Sequence, residues 1–145
     1  MTQKDKDLLL QDLSSRLPYG VKGVVTFHKN MTETREEVRI IDGKLYDRFA
    51  KFQDSWYDNV TIKPYLFPLS SMTDELWDKE FTRYGITEFT RDSFKYGCDT
   101  LDFYRSNPQL SRMVKFINQL IKNHFDIYGL IPMGMALDAT DKNIY

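Results

Sequence analysis

The chain holds a single cysteine, Cys98, so no disulfide can close within it, and a reducing compartment is expected. A net charge of −1 supplies no overall field to attract nucleic acid or an anionic membrane, so either role needs a local patch. No apolar run approaches the roughly 20 residues that cross a bilayer. The longest nearly uncharged stretch, IYGLIPMGMAL, is broken by Gly129, Pro132 and Gly134. The opening MTQKDKDLLLQDL alternates charges and lacks the apolar stretch of a secretory signal, which makes cytoplasmic the expected location. The fingerprints GxGxxG, GxxxxGKS/T and GxSxG are missing as well, and with them the common nucleotide folds and hydrolases.

Metal and nucleophile chemistry find little material. There are two histidines, His28 and His124, on different expected elements, with no CxxC or HxxxH, and no metal or cofactor is expected. Cys98 and His124 with Asp126 or Asp99 have the residue types of a nucleophile, base and orienter. Nothing in the spacing brings them together, and a lone cysteine ordinarily fills core space. Asp74 with Asp78, and Glu75 with Lys79, have the i, i+4 spacing of a solvated helix face. An enzyme is therefore disfavoured.

What the chain has in quantity is aromatic surface. Ten Phe, nine Tyr and two Trp are more than a core of this size readily holds, so some Tyr is expected outside, where it is good binding material. Residues 3–16 place Leu9, Leu10, Leu13 and Leu17 on one helical stripe, closed by Pro18 and Gly20, with Lys4, Asp5, Asp12 and Arg16 mostly elsewhere. VKGVVTFH predicts a strand with Val21, Val25 and Phe27 on one face. In EEVRIIDGKLYDRF, Asp42-Gly43 predicts a type I′ hairpin with Ile40 opposite Leu45.

NVTIKPYLFPL predicts an edge strand or extended crossing, because Pro64 and Pro68 cannot donate to a ladder. It leads to a helix with Thr73 as N-cap, a Met72–Trp77 hydrophobic staple and a stop at Gly85. The prolines and staple together read as a rigid joint between a β unit and a helix. Residues 86–106 have no clean period and read as irregular. NPQLSRMVKFINQLIKNHF predicts a helix capped by Asn107, with Pro108 at its first position and Leu110, Met113, Val114, Ile117, Leu120 and Ile121 inward.

Between Asp102 and Asp126 there is no acid. Arg112, Lys115 and Lys122, with Gln119, fall in an arc of roughly 80° opposite that apolar stripe, and Arg105 precedes them. These residues form a candidate phosphate-tracking ridge, beside which Tyr104 or Tyr128 could stack bases. The plainer reading is an outer helix face kept wet by Lys and Arg.

Three blocks, LLLQDLSSRLPYGVKG (8–23), IKPYLFPLSSMTDEL (62–76) and NHFDIYGLIPMGMALDATDKNIY (123–145), resemble a family of small uncharacterised proteins of gut Bacteroidetes and their phages and mobile elements. Members often carry Arg just before the Gly of the last block, where this chain has Tyr128. The resemblance implies a phage or mobile-element context and brings no activity and no catalytic residues.

The expected fold is α+β: an N-terminal helix, a small antiparallel sheet or SH3-like partial barrel, two C-terminal helices and an apolar tail. The expected organisation is a single compact domain over 1–145, with the helix at 1–18, the β unit at 19–69 and a mainly helical region at 70–145. The expected function is a non-catalytic protein-interaction module with an unidentified protein partner, its oligomeric state open. The runner-up is a nucleic-acid-binding accessory protein using the basic face of helix 108–123.

Overall fold

In a computed structural model of the chain, residues 1–29, 33–51, 58–81 and 110–145 are described. The protein is α+β, with an N-terminal helix, a mixed sheet and further helices. It forms two compact units, Met1–Leu66 with Tyr128–Tyr145, and Phe67–Ile127.

In the first unit, helix α1 (Gln3–Arg16) begins at a capping box: Thr2 Oγ1 accepts from the Asp5 amide at 3.2 Å, and Asp5 Oδ2 from the Thr2 amide at 2.7 Å. Hydrogen bonding from Thr2 to the carboxylate, chiefly from its backbone amide and next from its side chain, holds the Asp5 carboxyl below its usual range. A 3-10 turn at Leu17–Tyr19 follows, and Gly20, at φ 69°, takes the left-handed position that ends it. Leu9 and Leu13 are buried as the stripe predicts. Asp12 and Arg16, expected mostly elsewhere, are fully buried beside them as a bidentate pair, Arg16 Nε and Nη2 donating to the two Asp12 oxygens at 2.8 and 2.7 Å.

The sheet runs β2-β1-β3-β4, with β1 at Lys22–Lys29, β2 at Glu33–Ile40, β3 at Asp58–Leu66 and β4 at Leu137–Asp138. The first three strands are antiparallel, and β4 adds parallel to β3. Val25 of β1 lies opposite Ile62 of β3, and Phe27 opposite Val60, which sets one face of the sheet against Leu9, Leu13, Leu45 and Phe49.

One local expectation is overturned. Asp42-Gly43 does not turn a hairpin. Asp42 Oδ1 accepts from the Leu45 amide at 2.8 Å and its carbonyl from the Tyr46 amide at 2.9 Å, which starts helix α2 (Gly43–Lys51). Leu45 and Phe49, one turn apart and both buried, give GKLYDRFAK a reason to be helical that outweighs the turn preference of the pair. Among the described residues β3 keeps an edge along Asp58–Pro64, in line with the proline-based expectation, and only its last two residues take a second partner. It pairs with β1 along Asp58–Pro64 and with β4 only through Tyr65 and Leu66, so Pro64 sits just before the second ladder begins, where its missing N–H costs nothing on that side.

The tail of this unit closes over β1 and β3. Ala139 donates to Leu66 at 2.8 Å, while the Tyr145 hydroxyl accepts from the Lys22 amide at 3.1 Å and donates to the Tyr65 carbonyl at 2.7 Å. Burial pushes that hydroxyl up to about 12.

In the second unit, helix α3 (Asp74–Glu80) is capped by Thr73, whose hydroxyl accepts from the Leu76 amide at 3.2 Å, and Met72 and Trp77 are buried as the staple requires. Helix α4 (Leu110–Lys122) brings Phe116 against Trp77 and Phe81, with ring centroids 6.0 and 5.2 Å away. Phe67 donates to the His124 carbonyl at 2.9 Å and accepts from the Asp126 amide at 2.8 Å, a parallel bridge with Phe125. Gly85, Asn107, Pro108 and the segment 86–106 lie outside the described residues. Among those described, no helix is long and apolar enough to cross a membrane.

Two measurements check this account. A Cβ on Gly23 would lie 2.6 Å from the Lys63 carbonyl oxygen and 2.9 Å from Pro64 Cα, both backbone atoms of β3. Gly23→Ala should therefore lower stability by about 2 kcal/mol in urea titration. For Tyr145 the folded state favours the protonated hydroxyl, so its contribution is complete below the unfolded value near 10 and is lost as pH rises toward about 12. Wild type should lose stability across that window faster than Tyr145→Phe.

Candidate functional site

The sequence of β2, ETREEVRI, alternates at the period of a strand. Glu33, Arg35, Glu37 and Arg39 share one face, and Thr34, Glu36, Val38 and Ile40 the other. Register with β1 fixes which face is which: Val25 lies opposite Glu37, Phe27 opposite Arg35 and Gly23 opposite Arg39. The charged set therefore continues the sheet face that carries the core. β2 nonetheless buries nothing: seven of its eight residues are exposed and Glu37 is half-buried.

The charges are organised along the strand. Arg35 Nη2 lies 2.5 Å from Glu37 Oε1, and Arg39 Nε lies 3.8 Å from Glu37 Oε2. The guanidiniums of Arg39 and Arg48 stand 6.0 and 5.7 Å from the centre of the Phe27 ring. A groove of about 540 Å³ runs here, with Phe27 as its apolar floor and Glu33, Thr34, Arg35, Glu37 and Arg39 as its polar wall. On the opposite face Val38 and Ile40 are 57% and 58% exposed. Among the described residues no strand pairs with the outer side of β2, so none of them takes up its outward line of backbone donors and acceptors. A row of backbone groups with charges at every second residue can hold an extended chain.

A second concavity in the same unit, about 430 Å³, is walled by Met1, Leu9, Phe49, Ile62, Met133 and Met135. Its lining is largely apolar, with Asp5 and Lys63 also on its wall.

The residues singled out from the sequence fall as follows. Lys115 and Lys122 are exposed on α4; Arg112 lies in the same helix with its side chain outside the described part; Arg105 lies outside the described residues altogether. Gln119, expected on that outer face, is 5% exposed and donates through Nε2 to a carboxylate oxygen of Glu80. An acid therefore sits inside the arc that was to carry only basic charge. Val114, expected inward, is 51% exposed, because Phe116 rather than Val114 faces the aromatic cluster. His28 is half-buried in β1, and His124 is buried after α4 at a positive φ of 60°. Cys98, Asp99 and Tyr104 lie outside the described residues. Among the described residues no group of three His, Cys, Asp or Glu could hold a metal ion.

The β2 edge was missed in the sequence because the Asp42-Gly43 pair drew its second half into a hairpin. The signal was present: a strand whose would-be inward positions are all charged marks a sheet edge. No protein-family model, no curated protein and no solved structure matches the chain.

For α4, two exposed lysines alone correspond to a log–log salt slope of about −1.4 with a single strand. Anisotropy titration of labelled single-stranded DNA should give a slope no steeper than that. A slope near about −3 would mean that Arg105 and Arg112 act with Lys115 and Lys122.

Proposed function

We propose that the protein is a non-catalytic interaction module that takes up an extended protein segment along the outer edge of β2. The observation that supports this most is the exposure of the whole strand together with its open backbone edge. Strand addition draws affinity from main-chain hydrogen bonds and specificity from alternate side chains, and β2 offers both. The segment it fits has acids and bases alternating every second residue, in opposite phase to Glu33, Arg35, Glu37 and Arg39. Charges on an edge normally repel an arriving strand, so the sign pattern acts as a filter. The resemblance described above gives this reading a phage or mobile-element setting. The nucleic-acid reading through the basic face of helix 108–123 is decided by the salt titration.

The test uses labelled peptides with Lys and Glu alternating at every second position, threonine between them, and two controls: the same composition scrambled, and the same sequence with alternate backbone amides N-methylated. The alternating peptide should bind, and each control should bind about tenfold more weakly or worse. Equal binding of all three would remove strand addition as the mode.

A further inference from the structure

A strand that accepts only one charge pattern also constrains its own pairing, and β2 itself carries the complementary alternation of Glu33, Arg35, Glu37 and Arg39. We infer that the protein self-associates through β2, a second copy pairing antiparallel about a two-fold axis at Glu36. The inference rests on the preceding reading and names the occupant of the same edge.

In an antiparallel pair, residues directly opposite share a face, so the core-side set of one copy meets the core-side set of the other. With the axis at Glu36, Glu33 stands opposite Arg39 of the second copy and Arg35 opposite Glu37 of the second copy, each pair repeated by symmetry. Every core-side charge from 33 to 39 then meets its opposite. Moving the axis by one residue, to Arg35 or Glu37, sets arginines against arginines and glutamates against glutamates, and like charges directly opposite are destabilising. An axis at Val38 is again complementary, but β2 ends at Ile40, so only residues 36–40 overlap.

The present contacts are compatible with this exchange. Glu37 already shares its carboxylate between Arg35 and Arg39 within one strand, and both arginines are exposed, with side-chain exposures of 79% and 47%. They can therefore turn to a partner without leaving a buried charge behind. On the opposite face the same register places Thr34 against Val38 of the second copy, which covers part of an exposed valine. Its one unfavourable meeting is Glu36 against itself. Because the axis stands perpendicular to the sheet, α1 and α2 of both copies remain on one side, and the two sheets become continuous.

The experiment is sedimentation equilibrium of the full chain from low micromolar to near-millimolar concentration, with charge-swapped variants. Wild type should show a reversible monomer–dimer equilibrium. Glu33→Arg alone sets the introduced arginine against Arg39 of the second copy. Arg39→Glu alone sets the introduced glutamate against Glu33 of the second copy. Each should weaken the dimer by about tenfold or more. An equimolar mixture of the two variants restores every opposite-charge pair in the heterodimer and should recover association, a result that misfolded variants could not give. Glu36→Gln should tighten the wild-type dimer.

A dimer unaffected by Glu33→Arg overturns the register, since an axis at Val38 leaves Glu33 unpaired. A mixture that stays monomeric overturns charge pairing. Wild type that is monomeric throughout overturns self-association. If that monomer still binds the alternating-charge peptide and not its controls, the interaction-module reading stands without this inference. If it binds none of them, both fall.

Discussion

The pleat of β1 is the constraint on which the account depends. A strand turns successive side chains to opposite faces, and once Val25 and Phe27 are committed to the core the faces of both neighbours are fixed. β3 answers with Ile62 and Val60. β2 answers with Glu37 and Arg35. The same physical rule therefore produces a packed interior on one side of β1 and, among the described residues, an exposed, charged outer strand on the other. A slip of one residue in β2 would exchange the charged set for Thr34, Glu36, Val38 and Ile40. With Phe27 then opposite Glu36, that exchange would set Val38 opposite Val25 and Ile40 opposite Gly23 and remove the alternation of sign.

Around this strand the first unit takes the charges of Asp12 and Arg16 into its interior as a pair. Asp12 and Arg16 have no exposed side-chain surface, and desolvating both is tolerable because the carboxylate takes two guanidinium bonds in fork geometry. The bonds of Tyr145 to Lys22 and Tyr65 serve a related purpose at the other end of the sheet, joining the tail to β1 and β3. These paired groups order the scaffold behind the β1–β2 ladder. Among the described residues the outer side of β2 has no comparable cover, and the proposed docking surface rests on that contrast.

Much of the fold could be read directly from the residues. The leucine stripe of α1, the Pro18–Gly20 stop, the inward set of β1 and the Thr73 cap with its Met72–Trp77 staple all appear where local chemistry puts them. The failures have specific physical causes. Asp42-Gly43 suits a tight turn, but aspartate is equally good as a helix cap, and Leu45 with Phe49 settled the choice through burial that no local rule contains. The inward face of α4 was misjudged because Phe116, the largest apolar residue available to the aromatic cluster, turns the helix toward Trp77 and Phe81 and leaves Val114 outside. Asp12 and Arg16 share the helical face of Leu9 and Leu13, yet charge normally argues for solvent, and only the tertiary setting shows that the pair goes inward. The candidate site was the least legible part. An open strand edge is defined by the neighbour it lacks, and sequence spacing does not reveal that.

Hydrogen exchange resolved along β2 is the measurement to make, because strand addition would act on its backbone amides. With the alternating-charge peptide present, the outward amides of residues 33–40 should slow while the rest of the sheet is unchanged. Exchange in β2 that stays fast at peptide concentrations where binding is saturated would show that the open edge is not the docking surface.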